Sequence, residues 1–188
     1  MRFVDGFDRF LRGRELYLDL TSYRLHGNVK RAVDRTAVLD VEVTALLDEF
    51  RGNLDSLEPV DGATEAIKSV ANHAYVVVLS NVTAAQAIAR SRNLAACGLD
   101  LPVVCNSGPK GPAVRELSRR AGRPVFFIDD IAPHLASVAE TAPHVLRIHL
   151  VGDARLKSLL PICEHAHLRA DGWQEAAAFM LARLHQVG

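Results

Sequence analysis

The stretch Val125-Phe126-Phe127-Ile128-Asp129-Asp130 decides the fold, because it joins four apolar residues to two adjacent carboxylates. A short apolar run of β-branched and aromatic residues is typical of a buried strand in a parallel sheet. Two carboxylates about 4 Å apart repel each other by roughly 4 kcal/mol at an effective dielectric constant near 20. Such a pair is tolerated beside a cation, or when one carboxyl group stays protonated. The alternative is a turn in which the pair caps the next helix.

Strand and helix signals alternate along the chain. Further strands are predicted at residues 16–18, 75–79, 101–105 and 145–150. Helices are predicted at residues 29–50, 63–70, 83–96, 112–121, 133–141 and 173–184. Strands separated by single helices require right-handed crossovers and a parallel sheet covered on both sides. The sequence therefore predicts an α/β fold, in which ligands bind at the carboxyl ends of the strands.

Composition excludes several classes of protein. The 188 residues carry 22 Lys and Arg against 22 Asp and Glu, so net charge does not attract nucleic acid or an anionic membrane. The three scattered cysteines, Cys97, Cys105 and Cys163, fit reduced thiols in a cytoplasm better than a disulfide framework. Because no apolar run approaches 18 residues, neither a signal peptide nor a membrane span is expected, and a cytoplasmic location is predicted.

The predicted strands end in polar residues of the types that a phosphoryl site requires. Asp19 follows the first strand, Ser80-Asn81 the second, a loop with Lys110 the third, and Asp129-Asp130 the fourth. Mg²⁺ prefers carboxylate oxygens, whereas phosphate oxygens need hydroxyl donors and a cationic side chain. A carboxylate can also serve as a nucleophile. These strand ends therefore predict a site for Mg²⁺ and a small phosphorylated molecule.

Three stretches resemble motifs of the haloacid dehalogenase superfamily in their order and spacing. The stretch that resembles the superfamily's second motif is Val76-Val77-Val78-Leu79-Ser80-Asn81. The one that resembles its third motif is Ser107-Gly108-Pro109-Lys110-Gly111-Pro112, and the one that resembles its fourth is Phe126-Phe127-Ile128-Asp129-Asp130. The resemblance covers residues 57–150. It implies a Rossmann-like α/β fold, a three-layer parallel sheet with a small helical cap insert. The core would comprise residues 1–22 and 57–188, and the cap residues 23–56.

The resemblance also implies roles for individual residues. Asp19 would be the nucleophile, and Lys110 would lower the charge repulsion around it while binding the phosphoryl group. The implied Mg²⁺ ligands are Asp19, Thr21 through its backbone carbonyl, Asp129 and Asp130. The implied substrate-binding residues are Ser80, Asn81 and Lys110. Mg²⁺ is thus the expected cofactor.

The chain departs from the superfamily's first motif, which is Asp-x-Asp-x-Thr after an apolar strand. In one register Asp19 is the nucleophile and Thr21 stands where the general acid belongs, which would slow leaving-group protonation. In a second register Tyr17 occupies the nucleophile position, and Asp19 supplies only the last Asp of the motif. A third candidate is Asp5, after a strand at residues 3–4. The first register is favoured, because it keeps Leu16-Tyr17-Leu18 as the strand before the carboxylate.

Two functions stay open at this point. The first is a Mg²⁺-dependent phosphohydrolase that acts on a small phosphorylated substrate through an aspartyl nucleophile. The second is a catalytically silent protein of the same fold that binds a phosphorylated ligand or a protein partner. A receiver-like domain is disfavoured, because its acidic pair follows the first strand. Cys163, His165 and His167 alternate as they would on one strand face, but they lack the fourth ligand that zinc requires.

Overall fold

The computed structural model describes residues 2–52, 57–121 and 124–186. The helices in these ranges are α1 (Phe3–Arg12), α2 (Asp40–Arg51), α3 (Ala63–Ala71), α4 (Ala84–Ala96), α5 (Gly111–Arg119), α6 (Ala132–Thr141) and α7 (Trp173–Leu184). The strands are β1 (Leu16–Leu18), β2 (Val29–Arg31), β3 (Val78–Asn81), β4 (Val103–Asn106), β5 (Phe126–Asp129), β6 (Leu146–Leu150) and β7 (Leu168–Ala170). The chain divides into two compact units, Met1–Glu58 with Asp153–Pro161, and Pro59–Gly152 with Ile162–Gly188. None of the described helices has both the length and the hydropathy that crossing a membrane requires.

The first unit is built around a small aromatic core. Helix α1 places Phe3, Phe7 and Phe10 at helical spacing, and their rings meet Phe50 of α2 at centroid distances of 5.1–5.4 Å. Strands β1 and β2 form an antiparallel pair, with Leu16 opposite Arg31 and Leu18 opposite Val29. The buried residues of this core are Phe7, Leu11, Val29, Val38, Val43, Leu47, Phe50 and Leu57.

Several expectations for this part of the chain are wrong. Strand β1 forms where the sequence predicted it, but it pairs antiparallel with β2 and does not join a parallel sheet. The helix expected at residues 29–50 forms only over Asp40–Arg51, because Val29–Arg31 is strand β2. Asp5 lies inside α1, so the register that needed a strand at residues 3–4 is wrong.

The two units also differ from the expected boundaries of core and cap. Residues 1–22 fall in the same unit as the segment expected to be a cap, because α1 and α2 share one hydrophobic core. Residues 153–161 join this unit as well, and Arg155 forms ion pairs there with Asp5 and Asp153. The segment contains a short 3₁₀ helix, Ala154–Leu156.

The second unit confirms the α/β class. Strands β3 and β4 pair in parallel, and β5, β6 and β7 form a second parallel sheet in that order. Side chains alternate along β5, so that Phe126 and Ile128 pack with the cluster around α3 and α7, whereas Phe127 packs with the cluster around α5 and α6. Helices therefore pack on both faces of this sheet. These connections are compatible with a Rossmann-like fold.

Strand β3 differs from the expectation of a fully buried central strand. The apolar run before Ser80 is only partly buried, and Tyr75 is 85% exposed. The strand is Val78–Asn81 rather than residues 75–79, and among the described residues its only hydrogen-bonded neighbour is β4. Within the part of the chain that is described, the parallel strands thus form two sheets and not one continuous sheet.

Candidate functional site

An ion pair joins the ends of two elements of the second unit. Lys110 Nζ donates a hydrogen bond to Asp129 Oδ2 at 2.7 Å. Asp129 is the last residue of β5, and Lys110 is the residue before α5. The Asp129 side chain is only 4% exposed and that of Lys110 15%. A carboxylate this deeply buried is stabilised by its cation and costs several kcal/mol to leave unpaired.

The loop before α5 brings Lys110 to this position. Gly108 has a φ of +77°, a left-handed conformation that glycine adopts without strain. A Cβ on Gly111 would lie 2.2 Å from the backbone oxygen of Ser137 in α6, and the Gly111 N–H donates to Ser137 Oγ at 3.1 Å. Only glycine allows α5 to begin this close to α6. The glycines around Lys110 therefore set the path of the loop that carries it.

Asp129 also shapes the turn that follows β5. Its Oδ1 accepts the backbone N–H of Ile131 at 2.8 Å, which is the local hydrogen bond of an Asx turn. The two oxygens of this carboxylate thus have different partners, the Lys110 ammonium and the turn backbone. Asp129 therefore does both things that the sequence allowed for the acidic pair. It forms a turn after the strand, and it lies beside a cation, the Lys110 ammonium.

Asp130 has a different environment from its neighbour. It is exposed, and no other described residue donates a hydrogen bond to its carboxylate. Partial desolvation by the atoms packed around it raises the pKa of Asp130, and the negative charge of Asp129 raises it further, while Lys110 opposes the shift. Asp130 is the exposed residue of the acidic pair, and its carboxyl group is close enough to neighbouring atoms for desolvation to be the first cause of its raised pKa.

Two histidines lie beside the acidic pair. His149 of β6 is completely buried, stands opposite Asp129 in the strand register, and places Nε2 3.2 Å from the backbone oxygen of Asp130. Because that oxygen can only accept, Nε2 carries the proton, and Nδ1 has no partner among the described residues. Desolvation lowers the pKa of His134. The negative charges of Asp129 and Asp130 oppose this shift, and the positive charge of Lys110 adds to it. Sequence reasoning missed His149 and treated His134 as a helix residue.

The second-motif residues contact the loop that carries Lys110. Asn81 Nδ2 donates to the Gly108 oxygen at 2.9 Å, and Asn106 Nδ2 donates to Asn81 Oδ1 at 2.6 Å. Asn81 thereby ties the end of β3 to the loop after β4, and its role in substrate binding stays a prediction. Ser80 precedes it on β3 and is partly buried. We refer to Ser80, Asn81, Lys110, Asp129 and Asp130 as the strand-end site.

The candidates for the first motif lie in the other unit, within β1 and in the connection that follows it. Asp19 directly follows β1 and is exposed, and its N–H donates to the Asn28 backbone oxygen at 2.8 Å. Thr21 donates its hydroxyl to Asn28 Oδ1 at 2.9 Å. Tyr17 lies within β1 opposite Lys30. The structure therefore gives Thr21 a local structural partner, and the catalytic and metal roles of Asp19 and Thr21 stay predictions.

The donors of the strand-end site set limits on how a metal could be held. Mg²⁺ usually binds through one or two carboxylates, several waters and phosphate oxygens. No other described residue donates a hydrogen bond to the Asp130 carboxylate, whereas the Asp129 carboxylate accepts from Lys110 and from the Ile131 N–H. Across residues 2–52, 57–121 and 124–186, no three His, Cys, Asp or Glu side chains form a metal-binding group. The donors fit a Mg²⁺ that a phosphoryl ligand helps to hold, not one held by protein side chains alone.

The alternating Cys163, His165 and His167 have structural partners. Cys163 belongs to the core around α5 and α6, and His167 Nδ1 accepts the backbone N–H of Arg147 at 3.0 Å. The Arg147 side chain donates to the His165 backbone oxygen at 2.7 Å.

Comparisons with protein families, with curated proteins and with solved structures find no match to this chain. The resemblance to the haloacid dehalogenase superfamily therefore rests on the quoted motifs alone.

Proposed function

We propose that this protein binds a small phosphorylated molecule together with Mg²⁺ at the strand-end site, in the manner of a haloacid dehalogenase-like protein. The observation that carries the proposal is the Lys110–Asp129 ion pair, with the accessible Asp130 carboxylate next to it. A single ammonium between two carboxylates leaves a site with one net negative charge, which a divalent cation would reverse. A phosphoryl group would then find a cation and an ammonium side by side.

Each residue of the strand-end site has a role in this proposal. Lys110 would donate to phosphoryl oxygens, as a cationic side chain does in charge-assisted hydrogen bonds. The Ser80 hydroxyl would donate to another oxygen, and Asn81 would hold the loop through Gly108. Asp130 would be the main metal ligand. Mg²⁺, when bound, would neutralise the negative charge of the phosphoryl group.

Calorimetric titration with inorganic phosphate in the presence of Mg²⁺ tests this proposal. Lys110→Met should weaken phosphate binding by about 10-fold or more, because a hydrogen bond to a charged group contributes about 1.5–3 kcal/mol. Arg119→Met removes an exposed charge from the same helix and should leave phosphate binding unchanged. If wild type binds neither phosphate nor Mg²⁺, the proposal is wrong.

Phosphate-ester hydrolysis through Asp19 is the second candidate function. The observation that favours it is an exposed carboxylate directly after β1 whose side chain has no hydrogen-bond partner among the described residues. This function requires Asp19 to attack the phosphoryl group of the substrate as the nucleophile. Thr21 could not protonate the leaving group near neutral pH, so turnover would be slow.

Turnover of p-nitrophenyl phosphate with Mg²⁺ separates the two functions. The hydrolase function predicts activity that Asp19→Asn abolishes and that Asp40→Asn, an exposed carboxylate of α2, leaves intact. A protein that binds phosphate but shows no turnover above background is the catalytically silent alternative.

A further inference from the structure

We propose that Lys110 and Mg²⁺ compete for the Asp129 carboxylate, so that metal binding releases the Lys110 ammonium group to the phosphoryl ligand. This inference rests on the proposed function and concerns how the strand-end site is regulated. It makes the ion pair an autoinhibitory contact of the metal-free protein, and it predicts that Mg²⁺ and phosphate bind cooperatively.

The first step of the argument is the state of Asp129. Both of its oxygens already accept hydrogen bonds, from Lys110 at 2.7 Å and from the Ile131 N–H at 2.8 Å. The side chain is 4% exposed, so a hydrated cation has no open approach to it while the ammonium stays in place. The Ile131 bond belongs to the turn backbone, which leaves the Lys110 bond as the one that can be exchanged.

The second step concerns the freedom of Lys110. Asp129 is the one hydrogen-bond partner of its ammonium among the described residues. The ring of Phe127 lies 6.0 Å from Nζ, at the outer limit of a cation–π contact. The Lys110 side chain is 15% exposed, and its flexible four-carbon stem allows the ammonium to move without the backbone. The ion pair can therefore open without rearrangement of α5.

The third step is the accessible Asp130. An incoming Mg²⁺ meets this exposed carboxylate first, and its charge then competes with the ammonium for Asp129. Two cations cannot share one buried carboxylate without repulsion, so the ammonium is displaced toward any anion nearby. A phosphoryl group that accepts the released ammonium thus favours metal binding, and by linkage the metal favours phosphoryl binding to the same degree.

Calorimetric titration with Mg²⁺ in phosphate-free buffer tests the competition. Lys110→Met should bind Mg²⁺ at least about 5-fold tighter than wild type, the lower end of typical coupling between two ligands. In an Asp129→Asn background the same substitution should change Mg²⁺ affinity by less than about 2-fold, because the contested carboxylate is gone. Inorganic phosphate should tighten Mg²⁺ binding to wild type by a larger factor than to Lys110→Met, because only wild type can also pass the Lys110 ammonium from Asp129 to the phosphate.

Three outcomes would overturn the competition. Mg²⁺ binding that Lys110→Met weakens or leaves unchanged contradicts it while leaving the proposed function intact. If Lys110→Met raises Mg²⁺ affinity by the same factor in the Asp129→Asn background, Lys110 opposes the metal through its charge alone. Absence of Mg²⁺ binding to wild type and to every variant, in the presence of phosphate as well as without it, would overturn both this inference and the proposed function.

A measurement on the unmodified chain complements the variants. The sequence has four lysines, so ¹³Cε-labelled lysine gives few NMR signals to assign. Mg²⁺ should shift the Lys110 signal, and phosphate should shift it further, while Lys30, Lys68 and Lys157 stay unchanged. A Lys110 signal that saturating Mg²⁺ does not move would show that the ion pair stays closed.

Discussion

Two polar regions of this protein carry side chains of similar chemistry but hold them in different ways. In the connection between β1 and β2, Asn28 is 2% exposed and organises residues 19–28, which we call the Asn28 loop. Its Oδ1 accepts from the Thr21 hydroxyl at 2.9 Å, and its Nδ2 donates to the Ser22 oxygen at 2.9 Å. In the strand-end site, Lys110 and Asp129 are 19 positions apart in the sequence and lie at the ends of two different elements.

The difference separates a polar turn from a polar site. The Asn28 loop satisfies its hydrogen bonds within a few residues, which is the common role of Asn, Ser and Thr in turns. The strand-end site instead uses strand ends and a helix start to bring opposite charges together, and it leaves Asp130 accessible. Asp19-Leu20-Thr21 therefore resembles a motif by its residue types, whereas Lys110 and Asp129 are also brought together in space.

Gly111→Ala is expected to break the strand-end site with the largest loss of stability. The new Cβ would overlap Ser137 of α6, and overpacking of this kind costs typically 1–3 kcal/mol. We expect about 3 kcal/mol from urea unfolding, because the overlap is with backbone, and weaker phosphate binding because Lys110 moves with α5. Gly108→Ala is the matched control. Its Cβ meets nothing within 4 Å, so only the strain of its φ of +77° remains, about 1–2 kcal/mol.

An effect of Gly111→Ala no larger than that of Gly108→Ala would show that α5 and α6 are not packed this closely. Close packing of the two helices would then no longer explain why Lys110 lies beside Asp129.

Asn28→Ala is expected to break the other region with a smaller loss. Hydrogen bonds contribute about 0.5–1.5 kcal/mol each, and part of the loop backbone regains water when Asn28 is removed. We therefore expect a loss of about 2 kcal/mol in urea unfolding. Binding of inorganic phosphate should stay within about 2-fold of wild type, because the side chain acts on its own loop. A loss of phosphate binding would mean that the Asn28 loop belongs to the functional site.

Sequence periodicity predicted most of the second unit. The helix at 173–184 was located to the residue, and β5, β6 and α4 to within one or two residues, because apolar runs and caps mark them. Thr83, for example, forms a capping box with Gln86. The rule that parallel strands present their carboxyl ends at one edge predicted that Lys110 and the acidic pair lie close together, but it did not predict the ion pair between Lys110 and Asp129.

The first unit was predicted poorly, for a physical reason. Helix α1 carries phenylalanines at positions 3, 7 and 10. Their spacing identifies a buried helix face only once Phe50, which is distant in the sequence, is known to pack against them. Strand β2 has three residues, too few for alternation to show. His149 could not be located either, since a histidine in a strand signals a site only once its neighbour across the sheet is known.

Asp130→Asn gives the smallest expected effect and sharpens the comparison through pH. The raised pKa of Asp130 means that the folded protein binds its proton more tightly than the unfolded chain, whose value is near 3.9. Stability therefore falls as pH rises from the unfolded value through the raised folded value. At neutral pH we expect Asp130→Asn to be more stable by on the order of 0.5–1 kcal/mol, in keeping with a partly exposed charge.

Asp153 in the first unit is the control with the opposite sign. A hydrogen bond from the Arg155 side chain lowers the pKa of Asp153, so its contribution is present above the unfolded pKa and is lost as pH falls through the folded value. Asp153→Asn should therefore lower thermal stability at pH 7, where Asp130→Asn raises it. The Asp130 difference should shrink as pH falls through its raised folded pKa toward about 4, whereas the Asp153 difference should shrink only below about pH 4. Mg²⁺ should stabilise wild type more than Asp130→Asn, because a carboxylate binds Mg²⁺ more strongly than the neutral amide of asparagine does. If Asp130→Asn is less stable than wild type in metal-free buffer at pH 7, Asp130 has a stabilising partner, and it is not the accessible carboxylate on which the strand-end site depends.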